Sequence, residues 1–196
     1  SNGVVQEVKR KFNFKKVGHL GTLDPMATGL LIVAINRATK FSSYFLNEIK
    51  AYSAEVTLGC TSDTDDAEGN ILNIAKKMPD SSKVILALNS FLGESLQKAP
   101  FYSALKHKGK PLYKYAREGE LIEKPPREIK IIDISNIHFQ NPLLEFDILC
   151  SKGTYIRSIA RDIGNLLECG GYLSKLKRIQ QGCFKISDAN FTKDLF

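Results

Sequence analysis

Two long stretches alternate apolar and polar residues, REIKIIDISNIHF (127–139) and LLEFDILCS (143–151), with Asn141-Pro142 as a turn between them. That pattern predicts a hairpin with one buried face. KAYSAEVTLG (50–59) alternates likewise through Tyr52, Ala54, Val56 and Leu58, and SKLKRIQQGCFKI (174–186) is a further strand-like run. LLIVAI (30–35) is apolar throughout and reads as a fully buried strand. Elsewhere the period is helical. Ser1 or Asn2 caps a first helix to about Phe12, with Val4, Val5, Val8 and Phe12 on one stripe. A short helix over 38–45 turns Phe41, Tyr44 and Phe45 inward, and Ser82 caps another over 83–92 with Val84, Leu88 and Phe91 as its stripe. In GTYIRSIARDIGNLLECGG (153–171), Ile156, Ile159, Ala160, Ile163 and Leu167 share the buried face, while Arg157 and Arg161 share another. Strands and helices mix without a strict βαβ repeat, which predicts an α+β fold on a mixed, largely antiparallel sheet. Residues 1–184 are expected to form one domain, with 185–196 a short tail.

Between the first helix and the apolar run lies GHLGTLDPMATG (18–29), a loop of three glycines and one proline that sets a single carboxylate, Asp24, beside the core. Pro25 biases Asp24 away from helix, so extended or turn backbone presents the side chain. In isolation such an aspartate is an ordinary turn residue. The acids of CTSDTDDAEGN (60–70), Asp63, Asp65, Asp66 and Glu68, lack EF-hand spacing: counting from Asp63, the sixth position is Glu68 rather than Gly and the twelfth is Ile74 rather than Glu. A solvated loop is expected there.

Composition narrows the class. The chain has 196 residues, 43% hydrophobic and 25% charged, with no membrane-length apolar run and no signal-peptide core. A cytoplasmic location is expected. Cys60, Cys150, Cys169 and Cys183 show no CxxC spacing, so reduced thiols are expected and no metal site. With 28 Lys+Arg against 21 Asp+Glu, the net charge is +7. The cations cluster as Lys9, Arg10, Lys11, Lys15 and Lys16; Lys106, Lys108, Lys110 and Lys114; and Lys175, Lys177 and Arg178. Interleaved with Tyr102, Tyr113, Tyr115 and Tyr155, they suit nucleic acid, whose phosphates attract cations and whose unstacked bases need aromatic faces. In QKAPFYSALKHKGKPLYKYAREG (97–119), Pro111 opens a helix ending near Gly119 that brings Lys110, Tyr113 and Arg117 onto neighbouring turns. Lys106, Lys108, Lys110 and Arg117 are the candidate RNA-binding cations.

No phosphate-binding Gly-rich loop, GxSxG or metal-spaced histidine pair is present, and His19, His107 and His138 are scattered. What remains is one loop carboxylate with tyrosines, arginines and a basic surface. Four blocks, GHLGTLDPMATG, KAYSAEVTLGCTSDTDDAEG, KAPFYSALKHKGKPLYKYAREG and CSKGTYIRSIARDIG, together resemble, in order, those of the TruB family of tRNA pseudouridine synthases. The resemblance implies a pseudouridine synthase fold with a central RNA-binding cleft. It implies conversion of uridine 55 in the TΨC loop to pseudouridine, without a cofactor, by a monomer acting on the T-arm stem-loop of tRNA. It also carries the family's catalytic aspartate onto Asp24, its active-site tyrosine onto Tyr52, its GTYIR pair onto Tyr155 and Arg157, its loop histidine onto His19 and a pocket wall onto Leu176.

These residue types suit the reaction. A glycosidase protonates a leaving oxygen and so uses two carboxylates. Uracil instead leaves through a ring nitrogen whose charge spreads onto its carbonyls, so one ionised carboxylate can suffice, held by Arg157. Tyr52 would stack on the base or take part in removing the C5 proton. His19 would contact the place vacated by the flipped base, and the loop glycines would let backbone approach that nucleotide. The family's KPxGxTS-like segment before the first helix has only Ser1 and Asn2 as a possible end here, Leu20 and Met26 stand for a more usual Thr and Leu, and 185–196 is too short for a PUA-like domain. Two competing readings use the same features, a non-catalytic RNA-binding module and a nucleoside glycosylase.

Overall fold

The structure is a computed structural model that describes residues 1–75 and 77–195. Helix α1 (Asn2–Lys11) leads into β1 (Val17–His19), β2 (Thr28–Gly29) and β3 (Val33–Ile35); a 3-10 turn over Asn36–Phe41 then runs into α2 (Ser42–Leu46). Strands β4 (Lys50–Leu58), β5 (Cys60–Ser62) and β6 (Ile71–Asn73) precede α3 (Ser81–Asn89) and β7 (Gly93–Gln97). A small hairpin, β8 (Lys106–His107) and β9 (Lys110–Pro111), opens α4 (Leu112–Arg117). The predicted long hairpin forms as β10 (Arg127–Gln140) and β11 (Leu143–Cys150), followed by α5 (Ile156–Leu166), β12 (Gly171–Gln181), β13 (Phe184–Lys185) and α6 (Thr192–Leu195).

The principal sheet has seven strands. Its path runs β13-β12-β4-β11-β10-β7, antiparallel throughout, and β2 adds to β12 in parallel, which makes the sheet mixed. Helix α5 packs Ile156, Ile159, Ala160 and Ile163 onto Val56, Phe146, Ile148 and Leu173 of the sheet. Each buried Ile contributes about 1.5–3 kcal/mol, so this seam fixes α5 and the arginines it carries. β12 bulges after Arg178, where the register against β4 shifts between Arg178 and Gln180. The extra residue brings Arg178 and Gln181, both fully buried, to one face.

Several local expectations change. Only Val33–Ile35 of LLIVAI is strand; Leu30 and Ala34 are buried, while Leu31, Ile32, Val33 and Ile35 line an apolar cleft against α1. Phe41 and Tyr44 face solvent, because residues 36–41 wind with three residues per turn and the stripe loses its phase; Phe45 packs on Phe184 at 5.6 Å. Asp80 and not Ser82 caps α3, accepting the Lys83 amide at 2.9 Å. Phe12 is exposed, and the Ser1 hydroxyl leaves the α1 terminus uncapped to accept the Leu23 amide. Residues 185–195 form a 3-10 turn and α6 along the cleft beside α1.

Candidate active site

Asp24 lies on the loop between β1 and β2, in a turn closed by the Ala27 amide on its own carbonyl at 3.0 Å. Polar side chains of β12 clamp both ends of that loop. Arg178 donates from Nε to the Leu30 carbonyl at 2.8 Å and from its terminal nitrogen to the Gly21 carbonyl at 3.1 Å, and Gln181 donates to the carbonyls of Leu20 and Phe45. Two of the loop glycines, Gly21 and Gly29, are packed against this clamp. A Cβ on Gly29, whose φ is +94°, would lie 2.3 Å from the Arg178 carbonyl, and one on Gly21 would meet Gln181 and Arg178. Arg178, expected in a basic surface cluster, is 1% exposed. Its parity with buried Leu176 along the strand is the sequence signal that turns it inward.

Helix α5 supplies the partner of Asp24. Arg157 Nε donates to Asp24 Oδ2 at 2.9 Å. Its other nitrogens reach the Thr64 carbonyl at 3.2 Å, Asp66 Oδ2 at 3.4 Å and the Tyr102 carbonyl at 3.0 Å, so the guanidinium has four acceptors and is 4% exposed. One turn on, Arg161 binds Asp65 and Asp162, each at 2.9 Å. The acidic loop expected in solvent is thus the source of two counter-ions. Strands β5 and β6 pair to fold it back on α5, Asp66 is 3% exposed, and burial raises the Asp65 carboxyl above its ordinary value despite Arg161 and Arg157. Neither acid was expected at the site.

Besides the apolar cleft against α1, Asp24 lines two adjoining spaces. The smaller, about 80 Å³, is enclosed by Thr22, Leu23, Tyr52, Thr154, Tyr155, Ile156 and Leu176 as well. The wider cleft, about 590 Å³, is lined by Thr64, Asp66, Tyr102, Ser103, Tyr113, Arg117 and Arg157, within the range of ligand sites. Five predicted residues, Asp24, Tyr52, Arg157, Tyr155 and Leu176, therefore meet around one carboxylate. Burial pushes the Tyr52 phenol up to about 12; the Cys150 sulfur and Asp24 act in the same direction, and Arg178 opposes them. The Gln97 amide bonds both the Tyr155 amide and carbonyl, at 2.8 and 3.0 Å, and Arg127 covers the Tyr155 ring at 4.6 Å.

The remaining candidates lie apart. His19 ends β1 instead of sitting in the loop and lines neither space. Among the described residues its Nδ1 is buried without a hydrogen-bond partner, and burial, the Ser1 amino group and Arg178 lower its pKa. Lys106 and Lys108 are exposed on the β8–β9 hairpin, whose Lys108-Gly109 turn has positive φ at both residues, a type I′ pattern. Lys110 is bonded to Glu118 and sits over the Tyr115 ring, which leaves it less free for phosphate. Arg117 stacks on Tyr113 at 5.5 Å, and both face the wide cleft.

Residues 9–156 match the family model described as TruB family pseudouridylate synthase (N terminal domain). The chain belongs to the TruB family. It is 49% identical over 191 residues to tRNA pseudouridine synthase B of Francisella tularensis subsp. tularensis (strain WY96-3418) and 48% identical to that of subsp. novicida (strain U112). Each match covers 96% of this chain and 63% of the relative, so the TruB chain described here spans under two thirds of their length. Among solved structures, its fold resembles a chain of a Cbf5-Nop10-Gar1 complex (TM-score 0.72, 29% identity, 94% of this chain and 46% of that one). It also resembles a chain of an H/ACA RNP bound to a substrate RNA containing 2'-deoxyuridine (TM-score 0.69, 27% identity, 94% and 44%).

Proposed function

We propose that this TruB chain isomerises a uridine of tRNA to pseudouridine, at position 55 of the TΨC loop, with Asp24 as the catalytic carboxylate. One observation carries the reading: the Asp24 carboxylate, held by a buried arginine, stands at the junction of a cleft wide enough for nucleic acid and a small cavity walled by Tyr52, Tyr155 and Leu176. The wide cleft offers Tyr102, Tyr113 and Arg117 to a strand, and the small cavity takes one flipped base. An aromatic wall offsets the loss of stacking by about 1–3 kcal/mol per base.

Within that cavity the glycosidic bond breaks, the uracil turns while still enclosed, and C5 joins C1′ as the C5 proton leaves. Asp24 is fixed by Arg157 on the side where the sugar enters, and Tyr52 faces the base. The proton chemistry falls to the protein's own residues, and no cofactor is required. The names of the relatives support tRNA as the substrate, and the basic surface supports a polyanion.

Tritium release from C5-labelled uridine in tRNA tests the proposal. Release by the parent chain and none by Asp24→Asn is expected. Salt-sensitive tRNA binding without release would support the non-catalytic module instead, and free uracil would support the glycosylase.

A further inference from the structure

Arg178 has more donors than the loop clamp uses, and no carboxylate answers its charge. Two of its nitrogens serve the backbone carbonyls of Leu30 and Gly21, and among the described residues no Asp or Glu pairs with it. An uncompensated buried cation is expensive, so its retention calls for a partner that is anionic or electron-rich at some stage. Arg178 and Tyr52 are direct cross-strand partners in the β12–β4 register, which puts their side chains on one face about 5 Å apart at Cβ. The guanidinium is near enough to the Tyr52 phenol for its charge to favour the phenolate.

We propose that Arg178 is a positioning residue that donates a hydrogen bond to the Tyr52 phenolic oxygen and thereby aims the phenol's own proton into the cavity beside Asp24. The polarity follows from chemistry, since a guanidinium only donates. Tyr52 Oη must accept from Arg178, so its O–H points to a different acceptor, and the cavity that Tyr52 shares with Asp24 is the open side. If Tyr52 passes that proton to a group in the cavity, the phenolate left behind faces a cation already in place. If it later takes a proton, that proton comes from the cavity, because Arg178 has none to give. The other charged or titratable groups near Tyr52 are Cys150 on β11 and Asp24, both of which disfavour the phenolate; Lys50 and His19 adjoin Arg178. Arg178 is the group that favours the anion. The functional part of this inference rests on the reaction proposed above; the pairing itself does not.

The test uses the full chain with a fluorotyrosine of lowered intrinsic pKa at position 52, titrated by 19F NMR in the parent, Arg178→Met and Arg178→Lys. Loss of a cation at this range should raise the midpoint by about 1 to 3 pH units in Arg178→Met. Arg178→Lys should raise it by less, because one ammonium drawn to the Gly21 and Leu30 carbonyls leaves the phenol. An unmoved midpoint in a folded variant overturns the proposal. Arg178→Met can disturb the loop, so turnover of Arg178→Lys, shown folded by its thermal transition, gives a second decision. Its kcat should fall about tenfold or more, the loss expected for roughly 1.4 kcal/mol, with KM for tRNA little changed, and the same substitution should cost nothing further in a Tyr52→Phe background. Equal losses in both backgrounds would assign Arg178 to the loop clamp alone. A shifted midpoint in a chain that never releases tritium would support the pairing and defeat only the reaction assigned above.

Discussion

Arg157 is shared between two aspartates, and replacing each in turn should separate stability from turnover. Asp66 is 3% exposed and accepts from Thr64 Oγ1 at 2.6 Å and from the Glu68 amide at 3.0 Å, besides facing Arg157. Asp66→Ala leaves the Glu68 amide without its acceptor, leaves the Thr64 hydroxyl only its longer contacts to the residue 66 carbonyl and Ser62, and takes one of Arg157's two counter-ions. Breaking a buried ion pair costs about 3–5 kcal/mol. Arg157 keeps Asp24 and two carbonyls, so about 3 kcal/mol is expected, a fall in Tm of about 6–12 °C for a chain of this size. The Asp24 side chain is 29% exposed, and Asn at that position keeps an oxygen for the Arg157 Nε–H. Asp24→Asn should therefore cost at most about 1 kcal/mol while abolishing tritium release. Urea and thermal unfolding by circular dichroism, beside the release assay, read both quantities. Similar stability losses in the two variants, or an Asp66→Ala chain as stable as the parent, would refute the assignment of Asp66 as the structural counter-ion.

Arg157→Lys should lower kcat by about tenfold or more with tRNA affinity retained, because one ammonium cannot serve four acceptors in fixed directions; unchanged kcat would count against the fork geometry. Gly29→Ala should destabilise the fold beyond the roughly 1–2 kcal/mol of left-handed strain, since its Cβ meets backbone at 2.3 Å; chemical denaturation measures this. Glu55 is raised by burial but lowered more by hydrogen bonds from Lys175 and Ser174, leaving its pKa below the ordinary 4.5. The sign follows: the contribution is present above pH 4.5 and is lost as pH falls through the folded pKa, so the stability gap between parent and Glu55→Gln should shrink on acidification, read by urea unfolding at neutral and acidic pH. Arg117→Ala should weaken tRNA binding and flatten its salt dependence by about 0.7–0.9 in log–log slope if Arg117 holds a phosphate, measured by filter binding at several salt concentrations.

The sheet and α5 were legible because period and parity are local signals. Alternation over 127–151 gave the hairpin, and the spacing of Ile156, Ile159 and Ile163 turned Arg157 and Arg161 together to another face. Their counter-ions were not legible. Asp65 and Asp66 look like a solvated loop until β5 and β6 close and carry them to α5, a pairing between distant segments that no local pattern announces. The Lys108-Gly109 turn is also a local signal, a glycine in a two-residue hairpin loop just ahead of the helix that follows Pro111. Of the loop glycines, Gly21 and Gly29 accommodate the β12 backbone and its clamp, and that contact exists only once β2 adds to the sheet.

Two buried arginines, Arg157 and Arg178, and the half-buried Arg161 show how charge is arranged around the small cavity. On the α5 side, Arg157 and Arg161 face four carboxylates, Asp24, Asp66, Asp65 and Asp162. On the β12 side, Arg178 pairs with none among the described residues and has Lys50 nearby. The cavity lined by Asp24 and Tyr52 thus separates a side rich in negative charge from one with excess positive charge. Breaking a glycosidic bond separates charge in the same sense: the departing uracil gathers electrons, and the sugar loses them. In the proposed reaction, a base directed toward Tyr52 and a ribose directed toward Asp24 would meet fixed charges of the complementary sign at both ends. Fixed charge of that kind lowers a barrier without reorganisation. On that proposal a single aspartate suffices where glycosidases use two carboxylates, because stabilising the leaving group falls to Tyr52 and Arg178 and not to a second carboxylate.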